Sequence, residues 1–176
     1  LPLEDLSGDP SQEYFADGMT ETLISSLAQI RALRVISRTS VMRYNGDSQV
    51  IADIARELNV DAVIEGTVQR SGGRVRVTAQ LIRATTDTHL WAHVYERDLT
   101  DVLKLQSEVA GAVADEIRIQ VTAEERERLA SARRVDPQAH EGYLLGRYHL
   151  SKGNFAGFKQ AIQEFERAIS LAPDYA

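Results

Sequence analysis

Val60-Asp61-Ala62-Val63-Ile64-Glu65-Gly66-Thr67-Val68-Gln69-Arg70-Ser71-Gly72-Gly73-Arg74-Val75-Arg76-Val77-Thr78-Ala79-Gln80-Leu81 reads as two strands folded about a tight turn. Residues 60–70 begin almost wholly apolar, as a central strand does. Gly72-Gly73 then supplies a two-residue hairpin, because both central positions of a turn that matches strand twist favour positive φ. Val75, Val77, Ala79 and Leu81 alternate along the return strand. A second turn at 84–88 leads to a third strand at 89–97, which completes a meander.

Upstream, Asp9 is an N-cap, Pro10 suits the first helical position and Gln12 holds the reciprocal capping position. Tyr14, Phe15, Met19, Leu23, Ile24, Leu27 and Ile30 follow at helical spacing, with Gly18 as a break in the run. Residues 33–37 read as a short strand, and Leu1-Pro2-Leu3 as the last residues of another. Asn45-Gly46-Asp47-Ser48 supplies turn formers and a cap for a second helix carrying Val50, Ile51, Ile54 and Leu58.

Downstream of the meander, Val102, Leu105, Val109, Val113 and Ile117 define one apolar helical stripe. Thr122 and Glu125 form a capping box that opens a charged helix. Arg133-Arg134-Val135-Asp136-Pro137 is the expected boundary between a first unit, residues 1–132, and a second, 137–176. The second holds helices at about 138–151 and 156–171, joined by Lys152-Gly153-Asn154. The order β, α, β, α, β, β, β, α predicts an α+β fold: a mixed sheet with helices on one face, followed by an all-α helical hairpin.

Composition narrows the function classes. The 176 residues are 43% hydrophobic and 26% charged, ordinary for a globular chain, and no apolar run approaches the roughly 20 residues of a membrane-crossing helix. A formal net charge of -6 opposes direct binding to nucleic acid. Cysteine is absent, which removes disulfides, thiolate nucleophiles and Cys-based metal sites together, and leaves bacterial cytoplasm and periplasm both open. The absence of an initiator Met and the stop at Asp174-Tyr175-Ala176 read as an excised piece of a longer protein.

No nucleophile elbow, phosphate loop or dinucleotide glycine pattern is present, so no catalytic residue and no cofactor is expected. His89 and His93 have good zinc spacing for a helix, but on a strand their Cα atoms stand about 13 Å apart, too far for one ion. Strand alternation places Leu90, Ala92 and Val94 on one face and His89, Trp91, His93 and Tyr95 on the other, with packing expected to cover both. The sharper reading makes Trp91, His93 and Tyr95 a partner surface. His140 and His149 are isolated helical residues. The run from Glu124 to Arg128 reads as a solvated helix with i,i+4 pairing, and Arg70, Arg74 and Arg76 cluster near the hairpin tip.

Four stretches carry a family resemblance: residues 1–10 (Leu-Pro-Leu-Glu-Asp-Leu-Ser-Gly-Asp-Pro), 13–20 (Glu-Tyr-Phe-Ala-Asp-Gly-Met-Thr), 75–82 (Val-Arg-Val-Thr-Ala-Gln-Leu-Ile) and His89-Leu90-Trp91. In order and spacing they resemble the TolB-amino-terminal-like (FlgO-like) module, found in bacterial class III nucleotide cyclases and winged-helix regulators that also carry tetratricopeptide (TPR) repeats. The resemblance spans residues 1–120; Thr86-Asp87 departs from it, standing at a turn where a glycine is expected. Leu145, Gly146, Ala161, Phe165, Ala168 and Pro173 look like the TPR pattern of large and small packing residues, with an insertion expected in the 152–155 turn because Gly146 and Ala161 are widely spaced.

The resemblance implies a module without chemistry of its own, set between an output domain and a TPR array, that meets a protein partner through TPR helices or the sheet face. A single repeat leaves an apolar face open, so Ile162, Phe165 and Ile169 are expected to pack on the first unit, on further repeats or on a second copy in a homodimer. The alternatives are a structural envelope or flagellar assembly component of FlgO type, and a small-ligand sensor.

Overall fold

The computed structural model describes residues 1–46, 49–117, 121–130 and 135–175. Arg133-Arg134 of the expected boundary and the Asp47-Ser48 cap lie outside the described residues. Four strands form one mixed sheet in the order β1 (Glu4–Asp5), β2 (Ala62–Ser71), β3 (Arg74–Arg83) and β4 (Thr88–Asp98), with β1 parallel to β2 and the other pairs antiparallel. Gly72 and Gly73 have φ of 55° and 82°, and Ser71 pairs with Arg74, so the hairpin forms as its two glycines dictate. At the next turn Asp87 adopts φ of 49°, the left-handed conformation for which a glycine was expected; aspartate is among the few other residues that tolerate it.

Between β1 and β2 run α1 (Glu13–Ala28), α2 (Arg38–Val41) and α3 (Ile51–Leu58). Asp9 caps a short 3-10 turn over Pro10–Gln12 by accepting from the Ser11 N–H at 2.9 Å. The reciprocal half of the box does not form as expected: the Asp9 N–H donates to the Ser7 hydroxyl, and the Gln12 amide turns to the Asp9 carboxylate. Helix α1 continues through Gly18 without a break.

Residues 33–37 form no strand, and Leu1-Pro2-Leu3 precedes a strand of only two residues. The free edge of β2 explains both. Leu1 N donates to Ile64 O and the Leu6 N–H to Val68 O, so residues 1–6 line that edge and no ladder position remains there for 33–37.

After β4 come α4 (Val102–Glu116) and α5 (Ala123–Ala130), then α6 (Pro137–Ser151) and α7 (Phe155–Leu171). The capping box at α5 closes in both directions: Thr122 N–H to Glu125 Oε2 at 2.9 Å, Glu125 N–H to Thr122 Oγ1 at 3.2 Å. Glu125 is not a solvated helix residue, however. It is buried and also accepts from the Arg31 N–H at 3.0 Å; these backbone donors, Arg31 first, hold its carboxyl below the usual range.

The main core lies between one face of the sheet and α1 and α4. Val68, Val75, Val77, Ala79 and Leu81 meet Phe15, Met19, Leu23, Val102, Leu105 and Val109, all essentially inaccessible. The helices are not confined to one face. Strand alternation turns Val63 to the opposite side from Val68, and there Ala55 of α3 packs with Val63 and Ala84 in a second small cluster. The rest of that face stays open at β4, where Ala92 and Val94 are exposed, so β4 is not covered on both sides. Among the described residues no helix is long and apolar enough to cross a membrane.

Candidate interaction surface

Helix α6 starts at a strong local signal. Asp136 accepts from the Gln138 and Ala139 N–H groups at 2.8 and 3.0 Å, and Pro137 occupies the position where its missing N–H costs nothing. It ends at Ser151, Gly153 turns the chain with φ of 62°, and Asn154 caps α7 through the Gly157 N–H at 2.8 Å. The connection is three residues long and holds no insertion.

The two helices run antiparallel with small residues at the contact. A Cβ on Gly142 would meet Glu164 O at 3.0 Å, on Gly146 the Phe165 ring at 2.4 Å, and on Gly157 His149 O at 2.5 Å. Ala161 and Ala168 are buried in the same seam, and Leu145 is half-buried against the main core. The spacing between Gly146 and Ala161 is thus absorbed along α6 rather than in the turn. Pro173 is exposed and follows the helix end, so it stops α7 rather than packing against it.

The hairpin sits on α1. Leu144 is 1% exposed and fits over Gly18, where a Cβ would stand 2.4 Å from Leu144 Cδ2; close approach explains the glycine that sequence alone read as a break. Beside this contact Glu141 gathers a polar clasp. Its Oε1 accepts from the Tyr14 hydroxyl at 2.9 Å and from Arg70 Nη1 at 2.8 Å, and Arg167 of α7 approaches Oε2 at 3.8 Å. Arg147 pairs with Glu21 of α1. Burial raises the Glu141 carboxyl, but the hydrogen bonds from Arg70 and Tyr14 outweigh it and hold the group below its ordinary value; burial and that carboxylate push Tyr14 up to about 12.

The three arginines near the hairpin therefore divide. Arg70 finds its acid inside the chain, Arg74 pairs with Glu96 at 3.4 Å, and Arg76 is exposed. Because Arg70 and Glu141 are each about one-quarter exposed, solvent screens the pair. A double-mutant cycle with Arg70→Gln and Glu141→Gln, read by urea unfolding, should give a coupling of about 1 kcal/mol. A coupling near zero would mean that the clasp adds nothing to docking.

On β4 the rings of Trp91, His93 and Tyr95 stack along one face, with centroids 6.2 Å apart from Trp91 to each of the others and 4.7 Å from His93 to Tyr95. That face looks toward α4: Tyr95 is buried, and Arg97 reaches Glu108 of α4 at 2.7 Å. Trp91 is half-buried against the core and His93 is exposed. His89 does not share the face. Trp91 pairs with Leu81 but His89 with Ile82, so a bulge at Leu90 rotates His89 to the other side, and the two imidazoles cannot meet on one ion. Among the described residues no group of three or more His, Cys, Asp or Glu is placed to hold a metal.

What the hairpin leaves open is the outer face of α7. Phe155, Phe158, Ile162 and Ile169 recur at i, i+3, i+7 and i+14, one helical face, and are 87%, 43%, 58% and 55% exposed. Phe165, in contrast, is engaged: its ring lies against Gly146 and 6.3 Å from that of Tyr143. Sequence alone marks Ile162 and Ile169 of this row, but neither Phe155 nor Phe158. The clasp was not visible there, because Tyr14, Arg70 and Glu141 are joined only by the fold.

No family model matches the chain. Over all 176 residues it is 39% identical to a protein of Rhizobium meliloti (strain 1021) named "Putative adenylate cyclase 3". Among solved structures it is similar to the lipoprotein GNA1162 of Neisseria meningitidis, at a TM-score of 0.47 and 18% identity, covering 69% of this chain and 96% of that one. It is also similar to PelC of Paraburkholderia phytofirmans, crystallised as a dodecamer, at a TM-score of 0.43 and 16% identity, covering 68% of this chain and 85% of the other. The chain spans 30% of the length of its Rhizobium relative.

Proposed function

We propose that this chain is a non-catalytic, protein-binding regulatory segment of a bacterial signal-transduction protein: a TolB-amino-terminal-like module over residues 1–132, followed by the first hairpin of a TPR array over 137–176. The observation that carries the reading is the exposed row Phe155, Phe158, Ile162 and Ile169 on α7. Four large apolar side chains on one face, beside a seam of Gly146, Ala161 and Ala168, form the kind of surface that stacking with a neighbouring helix covers. The cyclase name of the Rhizobium relative supports a signalling setting, in which the output chemistry belongs to another domain.

Two measurements test the proposal. Incubated with ATP or GTP and a divalent metal, the purified chain should make no cyclic nucleotide above a heat-killed control; turnover would overturn the non-catalytic part. In sedimentation velocity the chain should self-associate through the open row. The double substitution Phe155→Ser, Ile162→Ser should return it to monomer, with stability altered by no more than roughly 0.5 kcal/mol per exposed site. Identical sedimentation of parent and variant would remove α7 as the docking face.

A further inference from the structure

A cavity of about 160 Å³ lies where α1, residues 33–36, the end of α3, the start of β2 and the end of α4 converge. Its wall is apolar, with Ile24, Leu27, Val35, Leu58, Ile64 and Val113 contributing. Thr20 adds no free polar group, because its hydroxyl already donates to Ala16 O and accepts from the Leu3 N–H, both at 2.9 Å. The cavity opens partly to solvent, so a ligand can enter, and an apolar space of about 150 Å³ is large enough to take benzene.

The Leu1 amino group in the wall donates to Ile64 O, and the charged side chain of the wall is Arg34. It is exposed, its guanidinium donates to the Asn59 carbonyl just beyond α3, and it pairs with no carboxylate among the described residues. Arg38 and Arg43, by comparison, are paired, with Asp17 at 3.2 Å and with Glu57 at 2.7 Å. Arg34 is held by a neutral acceptor that leaves donors of its planar fork unused, a geometry suited to a carboxylate.

We infer that this cavity is a binding site for a small monocarboxylate with an apolar body, the tail among Ile24, Leu27 and Val113 and the carboxylate on Arg34. The assignment is independent of the partner surface on α7, which lies on another element and is made of different residues.

Hexanoate, hexanol and hexylamine titrated into the intact chain, followed by NMR chemical shifts, provide the test. Hexanoate should bind saturably and more tightly than hexanol, and hexylamine weakest. Arg34→Gln, at an exposed position, should weaken hexanoate about tenfold and leave hexanol unchanged. Ile24→Phe, which fills the cavity from a half-buried position, should abolish both while the chain stays folded by circular dichroism. No saturable binding, equal affinity for hexanoate and hexylamine, or indifference of hexanoate to either substitution would overturn the assignment.

Discussion

Replacing Gly66 by alanine is expected to destabilise the chain by roughly 3 kcal/mol or more, the upper range for forcing atoms into a packed interior. Gly66 sits mid-strand in β2 opposite Ala79, and a Cβ there would stand 2.0 Å from Thr78 O and 3.1 Å from Thr78 C. Those atoms are backbone, so no change of rotamer relieves the clash; β2 and β3 must separate. Gly111 in α4 is the internal comparison, because a Cβ there meets nothing within 4 Å. Gly111→Ala should gain about 0.5–1 kcal/mol from helix propensity alone. Urea unfolding of both variants checks the pair. A Gly66→Ala midpoint equal to the parent's would mean that the two central strands are less closely apposed than described.

Acidification is expected to weaken the fold through His140. The ring is 1% exposed, its Nδ1 lies 2.6 Å from the Tyr175 hydroxyl, and its Nε2 has no partner among the described residues. Burial first, and the charge of Arg70 second, lower its pKa to about 4 from 6.5. Above the unfolded value neither state is protonated there, and the contribution is complete. As pH falls from 6.5 toward 4, the unfolded chain takes up a proton that the native ring refuses, and about 3 kcal/mol of stability is lost. Glu125 and Glu141, both held below their ordinary values, act in the same direction at lower pH. Urea unfolding at pH 7.5, 5.5 and 4.5 reads the slope, and His140→Leu should flatten it above pH 5 while losing the bond to Tyr175. An unchanged slope in that variant would assign the acid sensitivity elsewhere.

The parts of this fold legible in the sequence are those set by near neighbours. Gly72-Gly73 fixes its own turn and Thr122 and Glu125 close their box three residues apart, whereas Asp136-Pro137, read as part of a boundary, is the local start of α6. The stripe from Val102 to Val113 marks the buried side of α4 because only one side can face the sheet. Readings failed where distant residues decide. Residues 33–37 have strand-like composition, yet residues 1–6 occupy the β2 edge. Period-two alternation placed His89 beside Trp91, and one additional residue at Leu90 inverted it. Gly18 looked like a helix breaker because Leu144, 126 positions away, was not in view. For the candidate site, Gly146, Ala161, Phe165 and Ala168 were marked by their resemblance to a repeat pattern and Ile162 and Ile169 as parts of an open face, whereas Phe155, Phe158 and the Glu141 clasp required the third dimension.

The irregular spacing on β4 carries a colloidal consequence. An eleven-residue strand at the rim of a sheet is a template for fibrillar growth when its groups are evenly spaced. At Leu90 that template changes phase, so an incoming extended chain in step with Trp91–Asp98 is out of step with Thr88 and His89, and the usable rim is shortened.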